Sequence, residues 1–310
     1  MLENMRSFAR AVETGSFSEA GRRMRVSANV VSHRIQILEA HLGCRLFNRT
    51  TRRISLTEQG RVFYDNVVEA LQIIEAAEAN IGELGAMPRG TIRVAAPLGL
   101  GRRFVAPVAA AYQEGHPQID VQLRLSEYRL DMVGESVDLA LQLGTLADSS
   151  LIMRKIADAA RVLCASPAYL SRAGRPETPN DLYQHQCLIL RYPGSRAFRW
   201  TMQHEGQEIS VPVAGHLDAD DGDVITLWAL EGRGIALKPL FEVAEAIAQG
   251  RLVPVLPANP VPAATLAVLY PERRLVPLKV KTFADLLVDE GKRYLTRELA
   301  KLPAGLRGGG

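Results

Sequence analysis

Residues 16–57 read SFSEAGRRMRVSANVVSHRIQILEAHLGCRLFNRTTRRISLT. Ser16 followed by Glu19 has the spacing of a capping box, in which each side chain meets an orphan amide at a helix start. Ala20 and Met24 then share one face of a short helix. The chain turns at Arg25 and Val26, and Ser27 supplies a second N-cap. On the helix that follows, Val31, Ile35, Leu38 and Leu42 recur at spacings of four, three and four, which marks the buried side. Stepping about 100° per residue from that side places Asn29, Ser32, His33 and Gln36 opposite. Two short helices with a tight turn, the second bearing small polar residues outside, predict a helix-turn-helix whose second helix enters a DNA major groove. On periodicity alone, a helical hairpin with a solvated face is the plainer alternative.

The flanking residues tip that balance. Ile54 and Leu56 alternate with polar neighbours, as in a short hairpin with one buried face, and Arg49, Arg52 and Arg53 crowd its tip. From Met1 to Tyr64 the chain has eleven Arg, no Lys and five Glu, a charge of +6, while the whole chain carries only +3. The rest is therefore slightly acidic, and the asymmetry points to a basic module built for a polyanion.

Gly15 to Ala20, Val26-Ser27, Val31-Ser32, Leu38-Glu39, Leu42-Gly43, Arg45 to Thr50 and Leu56 to Gly60 together resemble the winged helix-turn-helix of LysR-type transcriptional regulators. The chain departs from the usual pattern at Gly21, where the family normally has alanine, which weakens the first helix slightly. It also has Ala28 and His33 where many members carry Gln and a basic residue. The resemblance implies an α/β protein: a DNA-binding domain over residues 1–58, a dimerisation and linker helix over 59–88, and a two-lobed, periplasmic-binding-protein-like effector domain over 89–303. Lobe I would comprise about 89–163 and 268–303, and lobe II about 164–267.

With 310 residues and 47% apolar content, the chain has enough core for two or three domains. Cys44, Cys164 and Cys187 are an odd count without metal-like spacing, which fits a reducing cytoplasm. His185 and Cys187 lie two apart but lack a second pair, so neither a metal site nor a cofactor is expected. Leu2 to Val12 mixes charges with apolar residues at helical spacing and reads as no signal peptide; no run of 18 apolar residues suggests a membrane span.

Leu2, Met5, Phe8 and Val12 predict a first amphipathic helix bracing the reading pair. From Thr57 to about Gly85 a long helix is expected, with Phe63, Val67, Ala70, Ile74, Ala77, Ile81 and Leu84 at alternating spacings of four and three. That seam is narrow enough for pairing between chains, and a dimer is what reading two half-sites requires; packing on the helix's own domain is the alternative. The resemblance implies a homodimer or homotetramer. Gly82, Gly85 and Pro88 to Gly90 mark the linker.

Beyond Thr91 the pattern changes to alternating strand and helix with a mostly parallel sheet. Strands are expected at Thr91–Ala95, Asp120–Leu125, Val137–Leu143 (after a short helix), Arg161–Ser166, near Leu188, Phe198 and Val211, at Ile235–Leu237 and at Thr265–Tyr270. Longer helices are expected at Gly101–Glu114, Asp221–Glu231, Phe241–Gln249 and Pro277–Leu299. The lobes would exchange chain near Cys164–Pro167 and Leu266–Tyr270, with a ligand cleft between them. The tail Gly308–Gly310 is expected to be disordered.

Apparent catalytic motifs fail on chemistry. Gly99-Leu-Gly101 follows a strand and opens a helix but lacks the third glycine of a dinucleotide fingerprint; capture of a small anion by the loop amides suits it better. Gly194-Ser195-Arg196 is no nucleophile elbow. Asp218, Asp220, Asp221 and Asp223 lack the closing Glu of a calcium loop and read as a helix start, where carboxylates meet the positive end of the dipole. Gly232-Arg233-Gly234 reads as a helix C-cap and tight turn.

The family resemblance places the effector-binding residues at Leu98, Gly99, Leu100, Ser126, Leu143, Phe198, Asp220, Asp221 and Lys238. A ligand carboxylate would rest on backbone amides of the 98–100 loop, with Lys238 or a nearby Arg as counter-charge; a surface lysine lying along apolar neighbours is the plainer reading of Lys238. On the DNA side, Asn29 can pair two ways with adenine, Ser32, His33 and Gln36 reach base edges beyond Ser27 and Ala28 at the helix start, and Arg49, Arg52 and Arg53 neutralise phosphates. The reading is a ligand-responsive transcription factor with double-stranded DNA and a small-molecule effector as partners. A two-lobed enzyme and a solute-binding protein are the readings from other classes.

Overall fold

The structure, a computed structural model, describes residues 1–48, 54–81, 87–127, 137–144, 151–191, 198–272 and 276–304. The chain falls into two compact units that part between Met87 and Pro88. The expected short helix before Val137, the tip arginines Arg49, Arg52 and Arg53, Gly82, Leu84 and Gly85, the 194–196 triplet and the tail at 308–310 lie outside the described residues, as does the side chain of Ile81.

In the first unit α1 (Leu2–Thr14), α2 (Phe17–Met24) and α3 (Ala28–Leu42) precede a short hairpin, β1 (Phe47–Asn48) against β2 (Ser55–Leu56), and then α4 (Glu58–Ile81). The capping box is half made. Ser16 Oγ accepts from the Glu19 amide at 3.3 Å, but the Glu19 carboxylate turns to Arg22 and Arg23, and Thr14 Oγ1 meets the Ser16 amide at 3.4 Å. Arg25 closes α2 in the left-handed region at φ 57°, and Ser27 caps α3 by accepting from Val30. Gly21 lies under this turn: a Cβ there would stand 2.7 Å from the Val26 carbonyl oxygen. Its lower helix propensity is thus tied to a close backbone approach.

Val31, Ile35 and Leu38 join Phe8, Ala20, Leu46 and Phe47 in one core. Leu42, expected on that side, is exposed, because α3 ends at Gly43 and the last turn projects beyond the core. Two polar devices hold the hairpin to the helices. The buried Glu39 carboxylate accepts from the amides of Leu46 (2.8 Å) and Phe47 (3.3 Å) and from Arg45 Nη1 (2.8 Å). Thr57 Oγ1 donates to the Arg45 carbonyl at 2.7 Å and accepts from the Gly60 amide at 2.9 Å, starting α4. Gly60 itself abuts the Leu46 carbonyl, where a Cβ would overlap the oxygen.

Part of the expected seam on α4 is consumed internally. Val67, 3% exposed, lies in the same core with Leu71, and the Phe63 ring packs 5.5 Å from that of Phe8. Ala70 is exposed and Ile74 and Ala77 are half-buried, while Val62 and Ile73 present apolar surface.

The second unit runs β3 (Gly90–Ala96), α5 (Leu98–Leu100), a π-turn at Gly101–Val105, α6 (Ala106–Gly115), β4 (Ile119–Leu125), β5 (Leu139–Gly144) and the long β6 (Leu151–Ala165). Then come α7 (Pro167–Ala173), a 3-10 turn at Pro179–Gln184, β7 (Cys187–Leu190), β8 (Arg199–His204), β9 (Gln207–Pro212), β10 (Asp218–Ala219), α8 (Gly222–Leu230), β11 (Ile235–Pro239), α9 (Leu240–Ala248), β12 (Val253–Val255), β13 (Val261–Pro271) and α10 (Leu278–Leu299). The main strand order is β10-β7-β11-β6-β13-β5-β3-β4, with β12 also on β6. β3, β4 and β5 are mutually parallel, as are β11, β7 and β10, but β6 and β13 are antiparallel to each other and to the strands beside them. The sheet is therefore mixed rather than mostly parallel.

The strands that pass between lobes are longer than expected, and the exchange comes earlier. Leu151 to Ala159 and Arg161 of β6 pair with β13, and Arg161 to Ala165 pair with β11 and β12. The register of β13 shifts between Val261 and Ala264. In lobe II successive residues alternate between two cores: Leu163, Ala165, Cys187 and Ile189 on one face, Cys164, Leu188 and Ala236 on the other. β8 and β9 form a separate hairpin about Glu205 and Gly206, both at positive φ. No helix of the described residues is long and apolar enough to cross a membrane.

Gly60→Ala is expected to destabilise the first unit by about 1–3 kcal/mol through overpacking. Glu39→Ala should cost about 1–3 kcal/mol for each amide it strands. Urea melts followed by circular dichroism would read both, against Arg22→Ala, which should stay within about 0.5 kcal/mol of the parent.

Candidate functional site

The buried stripe of α3 turns its opposite side outward. Asn29, His33 and Gln36 are exposed, Ser32 and Ala28 half-buried, and Ser27 exposed at the cap. The helix-turn-helix geometry thus follows from Val31, Ile35 and Leu38 being drawn into the core, which leaves donors and acceptors in a row along the other side.

The second unit holds a cavity of about 320 Å³ lined by residues of both lobes. Leu143, Ala264, Leu188, Ile189, Leu190, Phe198, Trp200 and Leu237 give it an apolar wall, and Glu127, Asp223, Glu242, Arg161, Arg199 and Lys238 supply charge. Lys238, 3% exposed, is clamped between Glu242 Oε2 at 2.7 Å and the Gly222 carbonyl at 2.8 Å. That single ammonium joins β11, the start of α9 and the start of α8. Arg103 adds a contact of 2.6 Å to Asp223 and 3.5 Å to Glu242, and Arg102 reaches Asp221 and Asp223 at 3.3 Å each. Arg161 Nε donates to the Pro262 carbonyl at 2.7 Å, and Arg199 hydrogen-bonds to Ser210.

Of the expected effector residues, Gly99, Leu100, Leu143, Phe198 and Lys238 line this cavity; Leu98, Ser126, Asp220 and Asp221 do not. Asp221 is instead the N-cap of α8, accepting from the Asp223 amide at 2.8 Å, and Asp220 is exposed. Lys238 is no surface lysine. Nor is the 98–100 loop open to an incoming carboxylate at its first amide: Leu98 N–H already donates to Glu127 Oε1 at 2.9 Å. Glu127 gave no sequence signal, because a lone Glu two residues past a strand end looks like any loop carboxylate. Its acid is pushed above the usual carboxylate range, chiefly by burial; the Leu98 amide opposes the shift, Glu242 and Asp221 add to it, and Lys238 offsets it.

His185 Nδ1 meets Tyr169 Oη at 3.0 Å, and the Cys187 thiol faces the Leu182 carbonyl. No group of three potential ligands occurs among the described residues. Burial pushes the thiols of Cys164 and Cys187 up to about 12, which makes both poor nucleophiles.

Lys238→Met should cost about 3 kcal/mol, the lower end for breaking a buried pair, because Arg103 still faces Glu242. A Lys238→Met, Glu242→Leu double variant should recover most of the loss in the same thermal melt. Brief iodoacetamide treatment of the native chain should label only Cys44, as read by mass spectrometry.

Residues 2–61 match the bacterial regulatory helix-turn-helix protein family of lysR type, and residues 85–292 match the LysR substrate binding domain. The HTH-type transcriptional regulator DmlR of Escherichia coli (strain K12) is 32% identical over 287 residues, covering 93% of each chain. The structure of CrgA, a LysR-type transcriptional regulator from Neisseria meningitidis, superposes with a TM-score of 0.60 at 33% identity, covering 93% of this chain and 98% of that one. The full-length Vibrio cholerae virulence activator AphB gives 0.56 at 30% identity, covering 93% and 99%. With a matched reading head, a matched two-lobed domain and relatives named as regulators along nearly the whole length, this chain belongs to the LysR family of transcriptional regulators.

Proposed function

We propose that this regulator is ligand-responsive: it acts in the cytoplasm as a homodimer or homotetramer, reads double-stranded DNA with α3 and senses a small organic acid in the cleft. The observation that carries the reading is the cavity of about 320 Å³ at the exchange of strands between lobes, apolar along one wall and charged elsewhere. Its size suits a small ligand rather than a peptide. Arg199, whose hydrogen bonds among the described residues go to Ser210, is the counter-charge for the ligand's carboxylate, with Arg161 beside the same cavity. This moves the carboxylate away from the 98–100 loop and Lys238. In lobe closure, the ligand shifts operator choice by binding one arrangement of the oligomer more tightly than the other.

On DNA, Asn29, Ser32, His33 and Gln36 meet base edges while Arg49, Arg52 and Arg53 meet phosphates. The exposed side of α3 supports the first assignment; the arginines rest on sequence. Pairing between chains would use what α4 leaves uncovered, Ala70, Ile74 and Ala77 with Ile73, together with Ile81 and Leu84, more than Phe63 and Val67.

Gel shifts on the chain's own upstream DNA at several salt concentrations test the DNA half. Asn29→Ala should cost about 1–3 kcal/mol and relax preference at one base pair, whereas Arg52→Ala should weaken all sequences alike and lower the salt slope by about one. Equal loss of specificity from both variants contradicts this division. For the ligand half, carboxylates should raise the melting temperature of the parent and not of Arg199→Ala.

A further inference from the structure

We propose that Glu127 makes the cleft selective for organic monoacids that carry a second, hydrogen-bond-donating group, a hydroxyl or an ammonium, and against dicarboxylates of the same length. This rests on the organic-acid reading above and deepens it.

The loop amide that could hold a ligand carboxylate is already held by a carboxylate of the chain, Glu127 Oε1 on Leu98 N–H at 2.9 Å. Lys238 from β11, Glu242 from α9 and Asp221 from the start of α8 act on Glu127, and Asp223 with Arg102 and Arg103 of the π-turn extends the cluster through Asp221 and Glu242. Each of these cations is engaged: Lys238 with Glu242 at 2.7 Å, Arg103 with Asp223 at 2.6 Å, Arg102 with Asp221 and Asp223 at 3.3 Å. With Glu127 included, four carboxylates face three cations. A second carboxylate on the ligand would be the fifth beside these three cations, all of them already paired, and such like-charge contact is expensive. A donor is different. Among the described residues only Oε1 of Glu127 accepts a hydrogen bond, so Oε2 offers an ionised acceptor to a hydroxyl or ammonium. Burial and the neighbouring acids disfavour the charge on Glu127, and an ammonium would relieve that cost directly.

Isothermal titration calorimetry on the full chain with two matched sets tests this: butyrate, 4-hydroxybutyrate, 4-aminobutyrate and succinate; benzoate, 4-hydroxybenzoate, 4-(aminomethyl)benzoate and terephthalate. In at least one set a donor-bearing monoacid should bind about tenfold or more tighter than its dicarboxylate. Glu127→Gln, which keeps an acceptor for Leu98 but removes the charge, should shrink that ratio to about threefold or less. Dicarboxylates that bind the parent as tightly as their donor-bearing partners in every set that binds, or a ratio unchanged in Glu127→Gln, overturn the assignment of Glu127 while leaving the Arg199 reading intact. Binding of none of the eight acids overturns both.

Discussion

Two strands that belong to neither lobe alone govern the second unit. β6 and β13 lie side by side and antiparallel, and their pairing continues from Pro271 opposite Leu151 to Val261 opposite Arg161. Parallel strands extend the sheet on either side, so each lobe is a small α/β layer hung on this common pair. The register irregularity at Val261 to Ala264 falls where β6 changes partners, and a bulge of that kind bends a strand and strengthens its twist. Arg161 and Ala264, which flank the irregularity, line the cavity. The cleft is therefore a product of how the sheet turns from one lobe to the other, and a molecule within it touches the segment that any change in lobe angle must deform.

The floor of that cleft is arranged around one buried cation. At 3% exposure the Lys238 ammonium is held by Glu242 and the Gly222 carbonyl, the kind of partners a buried cation needs to offset its lost hydration. A Cβ at Gly222 would stand 3.0 Å from its Nζ, so any larger residue at the start of α8 would press on the ammonium. A buried pair of this kind is weak support for stability, since its desolvation offsets most of the attraction. What it supplies is register: three elements are held to one point, and the local charge is nearly balanced before a ligand arrives. Lys238 lines the cavity with its ammonium already paired, so a ligand carboxylate would have to share it with Glu242.

Elements with long periodic patterns were legible from sequence. Val31, Ile35 and Leu38 marked the buried side of α3, and the Gly232–Gly234 stop ends α8 with Gly232 at φ 75°. What stayed hidden was set by tertiary contact. Residues 151–160 of β6 carry Arg154, Lys155 and Asp158 and show no clean alternation, because one stretch of strand faces solvent along part of its length. The seam on α4 has the same residues whether a partner chain or the domain's own core fills it, and Phe8 decides the matter for Phe63. Glu39 and Glu127 accept backbone amides seven and twenty-nine residues away, so no local pattern could single them out.

The size of the cavity bounds how the regulator can be switched. Moving a two-state equilibrium from almost wholly one form to almost wholly the other takes about 5.5 kcal/mol of differential affinity. A small acid contributes at most about 1.5 kcal/mol per heavy atom and usually well under half of that. Even at half that ceiling a ligand of seven or eight heavy atoms has about 5–6 kcal/mol of binding energy, close to what a full switch consumes, so very little of it can be spent equally on both forms. Either the contacts made at Arg161, Ala264 and Arg199 exist in one lobe arrangement alone, or the two arrangements are nearly balanced before the ligand binds. A cleft whose cations are already paired favours the second: Lys238 and Arg103 are satisfied without a ligand, so neither imposes on the empty form a penalty that a ligand carboxylate would relieve, and a modest differential acting on each chain of an oligomer is enough.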